Sequence, residues 1–424
     1  MSTPTPPGPA PHPPAAHPPA PVPPSPALSV APVALADRAV APDVARGLAL
    51  LGIAIANSVL HLWGVQVGAG SRPVDGSTLD RVVDGVVSLF VDRRTMPMFA
   101  LLYGYGIGVV VRRRAAAWVP WPACRADLLR RAAWLVVFGV VHILLLFGGD
   151  ILAIYGVAGL VAVPLVRAPG RRLAVVGGIA LVVSGVLMGA VQTLAAWSAT
   201  QPDLMGQSDV LASSESSVLG AMLLRSASVL IAPLGAVAAL PLVLLGLWFA
   251  RRGVLEDPAA HLPLLRRWVV GGLAVSVVGG LPMALAVARV WAPDAGELFG
   301  VAALHEVSGT AGGVAFAALV AWVVVARRST VATLGPAGRA LRAVGVRSLT
   351  CYLLQSVLFV LPLAAWAGGL GEHLSSAGVV AWAVGVWLVT VAVAVALERA
   401  GRRGPAEVLY RRLVYRPRAS APAR

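Results

Sequence analysis

Apolar segments of about 20 residues recur along the chain, and short polar stretches separate each one from the next. A helix needs about 20 apolar residues to cross the hydrocarbon core of a bilayer. The pattern therefore predicts an all-α fold, a polytopic transmembrane helical bundle of about ten spans with both termini in the cytoplasm. The predicted spans are residues 44–63, 95–111, 132–149, 151–166, 173–196, 227–250, 268–291, 306–326, 348–366 and 378–397.

Segment 79–94 fits this pattern poorly, because acidic residues and arginines interrupt its Val, Leu and Phe positions. A surface helix or a re-entrant helix on the outer side, leading into the span that begins near Met96, would accommodate such a mixture. The sequence leaves these two interpretations open.

The chain divides into three parts by composition. Residues 1–36 are rich in Pro and Ala and lack the apolar core of a signal peptide, which predicts a disordered cytoplasmic tail. Residues 37–415 form the single predicted membrane domain, with a C-terminal signature portion at about 240–415, and residues 416–424 form a basic tail.

Composition agrees with a membrane protein, since 58% of the residues are hydrophobic, only 12% are charged and the mean hydropathy is +0.81. A soluble domain carries about twice that charged fraction. The net charge of +15 comes from arginines that concentrate in alternate loops, while acidic residues occupy the intervening ones. This positive-inside pattern predicts a multi-pass plasma-membrane protein whose partner is the lipid bilayer and not nucleic acid.

Span one contains polar residues that hydrophobic insertion does not require. Asp43 and Arg46 stand at its predicted inner end, and Asn57 lies about 16 Å deeper. In the third span, His142 lies about 16 Å from Arg131 at the inner end. Polar groups inside a membrane are costly, so their presence predicts a functional site.

Other polar residues lie at similar depths on other predicted spans. Asp150 reaches the outer end of span three, and Tyr155 follows one turn into span four. Arg94, beside Arg93, stands at the outer mouth of span two, His305-Glu306 at that of span eight, and Gln355 near mid-membrane in span nine. Together these residues could line one cavity that opens outward, holding a general base, a carboxylate that orients it and groups that stabilise an oxyanion.

Structural explanations compete with this interpretation. His142 could be a packed histidine that donates to a backbone carbonyl, and Asp43 with Arg46 could form a capping ion pair. Arg94 could anchor in lipid head groups, and His305-Glu306 could be solvated beside an outer loop. With Cys124 and Cys351 the only cysteines, neither a disulfide nor a metal cluster is predicted.

Ordered motifs run through most of the chain. They are Asp43-x-x-Arg46-Gly47 with Gly52-Ile53 and Asn57; Met98-Phe-Ala-Leu-Leu-Tyr-Gly104-Tyr-Gly106; Arg130-Arg131 through Gly139 and His142 to Gly149-Asp150-Ile151-Leu152 and Tyr155; Gly246 and Gly253; Gly345-x-Arg347-Ser-Leu-Thr350-x-Tyr352-Leu-Leu-Gln355-Ser356; and Gly404-Pro405-x-Glu407. This set resembles the YeiB-like bacterial membrane proteins, a family of unknown function (DUF418). The resemblance covers about residues 38–415.

That family is in turn distantly similar to transmembrane acyltransferases, namely the acyltransferase-3 type and the heparan glucosaminide acetyltransferase type. The resemblance implies transfer of an acyl group from cytoplasmic acyl-CoA to an envelope sugar or lipid acceptor, with no bound cofactor. Asn57 stands where the acyltransferase-3 type carries a catalytic His after its Arg, and the heparan type is similar to this chain in carrying an Asn near that point.

Three hypotheses follow from the residues and the resemblance. In the first, an acyltransferase, His142 is the base or acyl acceptor, Asp150 its helper, Asn57 and Gln355 contact the oxyanion or substrate, and Arg46 and Arg131 meet the CoA phosphates. In the second, a transporter or exporter of a small metabolite or lipid precursor, the same groups bind cargo or relay protons. The third is a membrane scaffold without catalysis.

Overall fold

The computed structural model describes residues 39–199 and 212–415, all of which fall in one compact unit, Val33–Arg424. The predicted tails 1–36 and 416–424 lie outside the described residues, as do residues 200–211. Among the described residues the regular elements are helices and short 3-10 turns, with one isolated bridge between Val67 and Pro73.

Thirteen helices make up the described part of the chain. They are α1 (Val40–Ser58), α2 (Thr78–Phe90), α3 (Thr95–Ala116), α4 (Trp121–Leu145), α5 (Leu152–Ala162), α6 (Gly170–Ala199), α7 (Val218–Arg252), α8 (Leu262–Val287), α9 (Ala295–Ala326), α10 (Pro336–Val346), α11 (Ser348–Leu363), α12 (Ser376–Arg399) and α13 (Pro405–Val414). The predicted all-α polytopic bundle is confirmed.

Eight segments among the described residues are long and apolar enough to cross a membrane. The bent pair α10 and α11, which meet at 87°, would make a ninth span, and the apolar helix Leu152–Leu165 is shorter than the others. Each of the ten predicted spans thus coincides with a helix, but the number of crossings stays a prediction. Helix α9 begins at Ala295 with an Asp294–Glu297 capping box, eleven residues before the start predicted for span eight.

Many outward-facing side chains of the long helices are apolar, as lipid contact requires. On α6, for example, the exposed positions recur at helical spacing and include Val175, Ile179, Val182 and Val186. A protein surrounded by water would instead place polar residues there. The buried core is formed mainly by α1, α3, α5, α7 and α9.

The arginine-rich turns gather at one end of the bundle. Arginines bind across helix ends in four contacts: Arg112 with the Ala250 carbonyl, Arg114 with Asp127, Arg131 with the Tyr415 hydroxyl, and Arg251 with the Val166 carbonyl. These contacts join the ends of α3, α5, α7 and α13 to the first half of α4. We call this the basic end, and by the positive-inside pattern it is the predicted cytoplasmic end.

Helix α2, at the segment that the sequence left open, continues into α3 through a turn at residues 91–94. Its apolar side chains, Leu79, Val82 and Val86 among them, are exposed, whereas Asp84 is buried against α8 and α12. This arrangement is the reverse of a water-soluble amphipathic helix. It agrees with an apolar environment around α2, so the buried polar residues of 79–94, unlike the exposed Arg81, serve contacts inside the protein.

Candidate functional site

Three polar side chains from separate parts of the chain meet beside the core of the bundle. Nε2 of His142 on α4 lies 2.7 Å from Oγ of Ser356 on α11. Nδ1 of the same ring lies 2.9 Å from Oδ1 of Asp150, in the loop between α4 and α5, although this pair lacks hydrogen-bond alignment. All three residues are buried. The order carboxylate, imidazole, hydroxyl is the arrangement that activates a hydroxyl for acyl transfer.

Close packing of α4 on α5 brings His142 to Asp150. A Cβ on Gly139 would lie 2.1 Å from the backbone nitrogen of Ala153, so only glycine permits this approach. His142 follows Gly139 by three residues and therefore points from the same helix face. The tight contact thus sets the imidazole against the beginning of α5.

The Asp150 carboxylate is held on both oxygens. Oδ2 accepts a 2.6 Å hydrogen bond from the Ala153 backbone N–H in the first turn of α5, where the helix dipole favours negative charge. Oδ1 accepts from the Tyr352 hydroxyl at 3.4 Å, and that hydroxyl also accepts from the Ile151 N–H at 3.3 Å. These contacts fix the carboxylate beside the imidazole.

The neighbours of His142 favour one of its two neutral tautomers. A proton on Nδ1 faces the accepting oxygen of Asp150 and leaves the lone pair on Nε2. In that tautomer the Ser356 hydroxyl donates to Nε2, and His142 is placed to act as a general base.

A small cavity adjoins the three residues. It has room for about one water molecule. Its walls are formed by Ile53, Ala54, Asn57, His61, Phe147, Tyr352, Gln355, Ser356 and Phe359. The cavity therefore joins Ser356 to two of the amide side chains that the sequence singled out.

The amides differ in how they are engaged. Asn57 is half-buried and makes no side-chain hydrogen bond with the described part of the chain, so its N–H groups are free to bind a ligand. Gln355 is buried and donates only a long 3.5 Å bond to the Leu50 carbonyl. His61 is stacked between Phe147 and Phe359, with ring centroids 4.9 Å from each. The cavity thus combines amide donors with an aromatic wall.

Tyr155 lies near this site but outside the cavity wall. Its hydroxyl donates to the Met96 carbonyl at 2.8 Å, and its ring stacks on Phe99 and Tyr103. These contacts link α5 to α3 and give Tyr155 a packing role.

Asp43, Arg46 and Arg131 lie toward the basic end. Arg46 pairs with Asp43 at 3.1 Å and donates to the Leu102 carbonyl at 3.1 Å. Nη1 of Arg131 donates to the Tyr415 hydroxyl at 2.9 Å. The structure therefore separates these residues from the His142 cavity.

A second polar cluster lies at the opposite end of the bundle. Arg94, which is fully buried, donates to the carbonyls of Ser88, Asp92 and Ser276 and to the Ser276 hydroxyl, and it lies 3.1 Å from His305. A Cβ on Gly280 would lie 1.9 Å from the Arg94 guanidinium, so glycine on α8 makes room for it.

Arg94, His305 and Glu306 do not lie at exposed outer ends of spans, as the sequence predicted. Arg94 is not an exposed lipid anchor, and His305 and Glu306 lie well inside α9, buried and not solvated. Nε of Arg93 lies 3.4 Å from the Glu306 carboxylate. The expectation of one cavity lined by all of these residues is wrong, because the described structure divides them among two clusters and the basic end.

Arg72, in the loop before α2, extends this second cluster. Its guanidinium donates to Asp84 at 3.3 Å and to Asp92 at 2.8 Å. Burial acts to lower the pKa of Arg72, but Asp92 and Asp84 more than offset this, so the pKa lies above its ordinary value. The buried guanidinium thus stays charged and ties the loop to α2.

Ser356 and Tyr352 stand in a motif of the sequence, but neither residue was predicted to take part in the site. Tyr352, Gln355 and Ser356 are spaced i, i+3 and i+4 and so share one face of α11. That spacing in the sequence was enough to place the three polar side chains together. Across residues 39–199 and 212–415, no group of three or more His, Cys, Asp or Glu side chains is arranged to hold a metal ion.

Fold and site define an all-α polytopic membrane bundle with a buried His–Asp–Ser constellation beside a small cavity. The model of a family described as "Protein of unknown function (DUF418)" matches residues 249–417. The chain is 27% identical over 414 residues to the uncharacterized protein YeiB of Escherichia coli (strain K12), which covers 91% of this chain and 98% of that protein. The chain thus matches the DUF418 model over its C-terminal part and is similar to YeiB over most of its length.

Two shorter matches come from Bacillus proteins. The uncharacterized protein YxaH of Bacillus subtilis (strain 168) is 27% identical over 153 residues, which is 34% of this chain and 37% of YxaH. An uncharacterized 39.9 kDa protein from the amylase 3' region of Bacillus acidopullulyticus is 31% identical over 136 residues, 32% of this chain and 36% of that protein. These names assign no activity.

Proposed function

We propose that this protein is a membrane acyltransferase in which His142 is the general base. The observation that carries the proposal is the contact of His142 with Ser356 on one ring nitrogen and Asp150 on the other, beside a cavity that offers amide donors. A donor thioester places its carbonyl in the cavity. His142 accepts the proton of the attacking hydroxyl, and Asp150 stabilises the imidazolium that forms.

The amides of Asn57 and Gln355 stabilise the oxyanion that develops on the thioester carbonyl. Both side chains line the cavity, and donors preorganised in a site with little water act strongly on a developing charge. Because the Asn57 side chain makes no hydrogen bond within the described residues, using it costs no existing side-chain bond.

The donor in this proposal is acyl-CoA from the cytoplasm. Arg46 and Arg131 lie toward the basic end, where guanidinium groups are suited to phosphates. The acceptor is a hydroxyl or amine of an envelope sugar or lipid, reached from the opposite side of a bacterial plasma membrane.

Labelled acetyl-CoA supplied to membranes tests the proposal. Label is followed into lipid and polysaccharide for the wild type, His142→Ala and Asn57→Ala. His261→Ala is the control, because the His261 ring bonds the Asp257 carbonyl in the loop before α8. Transfer should fall at least about 100-fold in His142→Ala and remain unchanged in the control. Full transfer by His142→Ala and Asn57→Ala proteins that insert normally would overturn the assignment.

A transporter is the second candidate, and the buried cluster around Arg94 favours it. Ionisable groups inside a membrane bundle mark substrate or proton pathways in many transporters. The cluster contains Arg72, Asp84, Arg94, His305 and Glu306. Flux of unmodified cargo across proteoliposomes that is lost in Glu306→Gln would support this function, and flux equal to that of empty vesicles would exclude it for the cargo tested.

A further inference from the structure

We infer that Ser356 carries the acyl group as a covalent serine ester, so that transfer proceeds in two half-reactions. The inference rests on the acyltransferase function proposed above. The proposed function requires only a general base and a cavity. The inference adds that Ser356 is the nucleophile.

Ser356 occupies the position that the nucleophile must take. Its Oγ lies 2.7 Å from the base, which is an ordinary distance for an O–H donor and a strong hydrogen bond. An acceptor hydroxyl from outside would have to displace Ser356 before it reached Nε2 of His142. The chain's own hydroxyl is therefore the first that the base can deprotonate.

The hydroxyl proton has two possible acceptors and favours the base. Ser356 also lies 3.4 Å from the Tyr352 carbonyl, one turn earlier on α11, which is a common helical back-bond. A hydroxyl has one proton, and the contact with His142 is shorter by 0.7 Å. In the Nδ1–H tautomer of His142 the proton therefore points at Nε2, which leaves the lone pairs of Oγ available for attack.

Ser356 also faces the space where an acyl group would sit. It shares the cavity wall with Asn57 and Gln355, so a carbonyl within bonding distance of Oγ has amide groups around it. A serine whose only role was to orient His142 would not need to line a cavity beside the free amide of Asn57. This placement distinguishes a nucleophile from a packing residue.

In the first half-reaction, Oγ of Ser356 attacks the carbonyl carbon of an acyl thioester while its proton passes to Nε2 of His142. The tetrahedral intermediate collapses, the C–S bond breaks, and the thiolate leaves with the proton from His142. The products are a free thiol and acyl-Ser356. No oxidant, reductant or metal takes part.

In the second half-reaction, the acceptor hydroxyl loses its proton to His142 and attacks the ester carbonyl. The bond between the acyl carbon and Oγ of Ser356 breaks, and Oγ recovers the proton from His142. The acyl group leaves on the acceptor and the enzyme returns to its starting state. A serine ester thus lets donor and acceptor use one small cavity in turn.

The test supplies purified full-length protein with isotope-labelled acetyl-CoA without acceptor, followed by acid quench, digestion and mass spectrometry of the peptide that contains Ser356. Wild type, Ser356→Ala and Ser356→Cys are compared. Ser184→Ala serves as control, because Ser184 is also buried but bonds only the Leu181 carbonyl of its own helix. Release of free thiol and transfer to acceptor membranes are measured in parallel.

We expect label on Ser356 in the wild type and in the Ser184→Ala control, and none in Ser356→Ala. Ser356→Cys should hold the label as a thioester that neutral hydroxylamine cleaves much faster than the serine ester. Transfer to acceptor should fall at least about 100-fold in Ser356→Ala.

Two negative results have different meanings. If the wild type transfers label and Ser356→Ala transfers it at a similar rate, with residue 356 unlabelled in both, the serine ester is overturned while His142 catalysis stands. If the wild type neither releases thiol nor transfers label above empty membranes, the acyltransferase function itself fails, and the serine ester fails with it.

Discussion

Nε2 of His142 lies 2.7 Å from Oγ of Ser356, although 214 positions separate the two residues in the chain. The contact joins α4 to α11 at a depth where a buried imidazole needs a polar partner. Asp150 approaches the other nitrogen of the ring, so each end of the imidazole meets a group suited to proton transfer. The relationship makes several properties of this protein testable.

The Asp150→Asn variant should lose acyl transfer by about two to four orders of magnitude, because an amide at this position no longer selects the Nδ1–H tautomer of His142. The rate of transfer from labelled acetyl-CoA measures the effect. The side chain keeps its size, so insertion and thermal stability should change little.

Asp257→Asn is the matched control, because Asp257 is exposed in a loop. Its transfer rate should equal that of the wild type. Equal rates for Asp150→Asn and the wild type would remove Asp150 from the mechanism.

The Gly139→Ala variant should be destabilised by about 1–3 kcal/mol, as for other overpacked cores. The added Cβ would lie 2.1 Å from the backbone nitrogen of Ala153, so α4 and α5 must separate. Separation also moves His142 from Asp150, and transfer should fall together with stability. Thermal unfolding of the detergent-solubilised protein measures the first effect.

Gly178→Ala provides the comparison, since nothing lies within 4 Å of a Cβ at Gly178 on α6. We expect it to be neutral or slightly stabilising, because alanine favours a helix by about 0.5–1 kcal/mol over glycine. Equal melting temperatures for the Gly139 and Gly178 variants would contradict the proposed close contact.

Hydrophobic periodicity predicted most of the fold, because each long apolar segment has one favourable solution in a membrane, the helix. Depth along the helix also placed Asn57, His142 and Gln355 at compatible levels. It could not place His305, because the span boundary was set at residue 306 from hydropathy, whereas the capping box at Asp294–Glu297 starts α9 earlier.

The sequence does not show which way each helix face turns, and this limited the prediction of the candidate site. Depth in the membrane alone assigned Arg94 and His142 to one cavity. In the structure Arg94, before α3, and His142, on α4, belong to different clusters. Ser356 was overlooked because a helical serine usually bonds its own backbone. Only the meeting of His142 and Ser356 in three dimensions reveals its second partner.

The Glu407→Gln variant should weaken α11 by about 1 kcal/mol, the usual size of a lost cap. Oε1 of Glu407, on α13, accepts from the backbone N–H groups of Leu349 and Thr350 at 2.8 and 3.1 Å. The carboxylate therefore caps the first turn of α11, where negative charge is favoured. A lower melting temperature is the expected measurement.

Glu372→Gln tests whether loss of any carboxylate has this effect, because Glu372 is exposed. Its melting temperature should match that of the wild type. An unchanged melting temperature in Glu407→Gln would show that the cap formed by Glu407 of the motif Gly404-Pro405-x-Glu407 does not stabilise α11.

The Arg94→Gln variant should be strongly destabilised, by about 3 kcal/mol or more, because the charged guanidinium donates several hydrogen bonds in a site without water access. Arg94→Lys should recover only part of this loss, since an ammonium group cannot reproduce a planar fork of donors.

Thermal unfolding in detergent ranks the variants. The exposed Arg81 on α2 supplies the control Arg81→Gln, with an expected change within about 0.5 kcal/mol. A melting temperature for Arg94→Gln as high as that of Arg81→Gln would mean that the second cluster does not hold α2, α8 and α9 together. A stable Arg94→Gln protein with altered flux of a cargo would instead favour the transporter function for this cluster, because the arginine would then be dispensable for folding and required for passage.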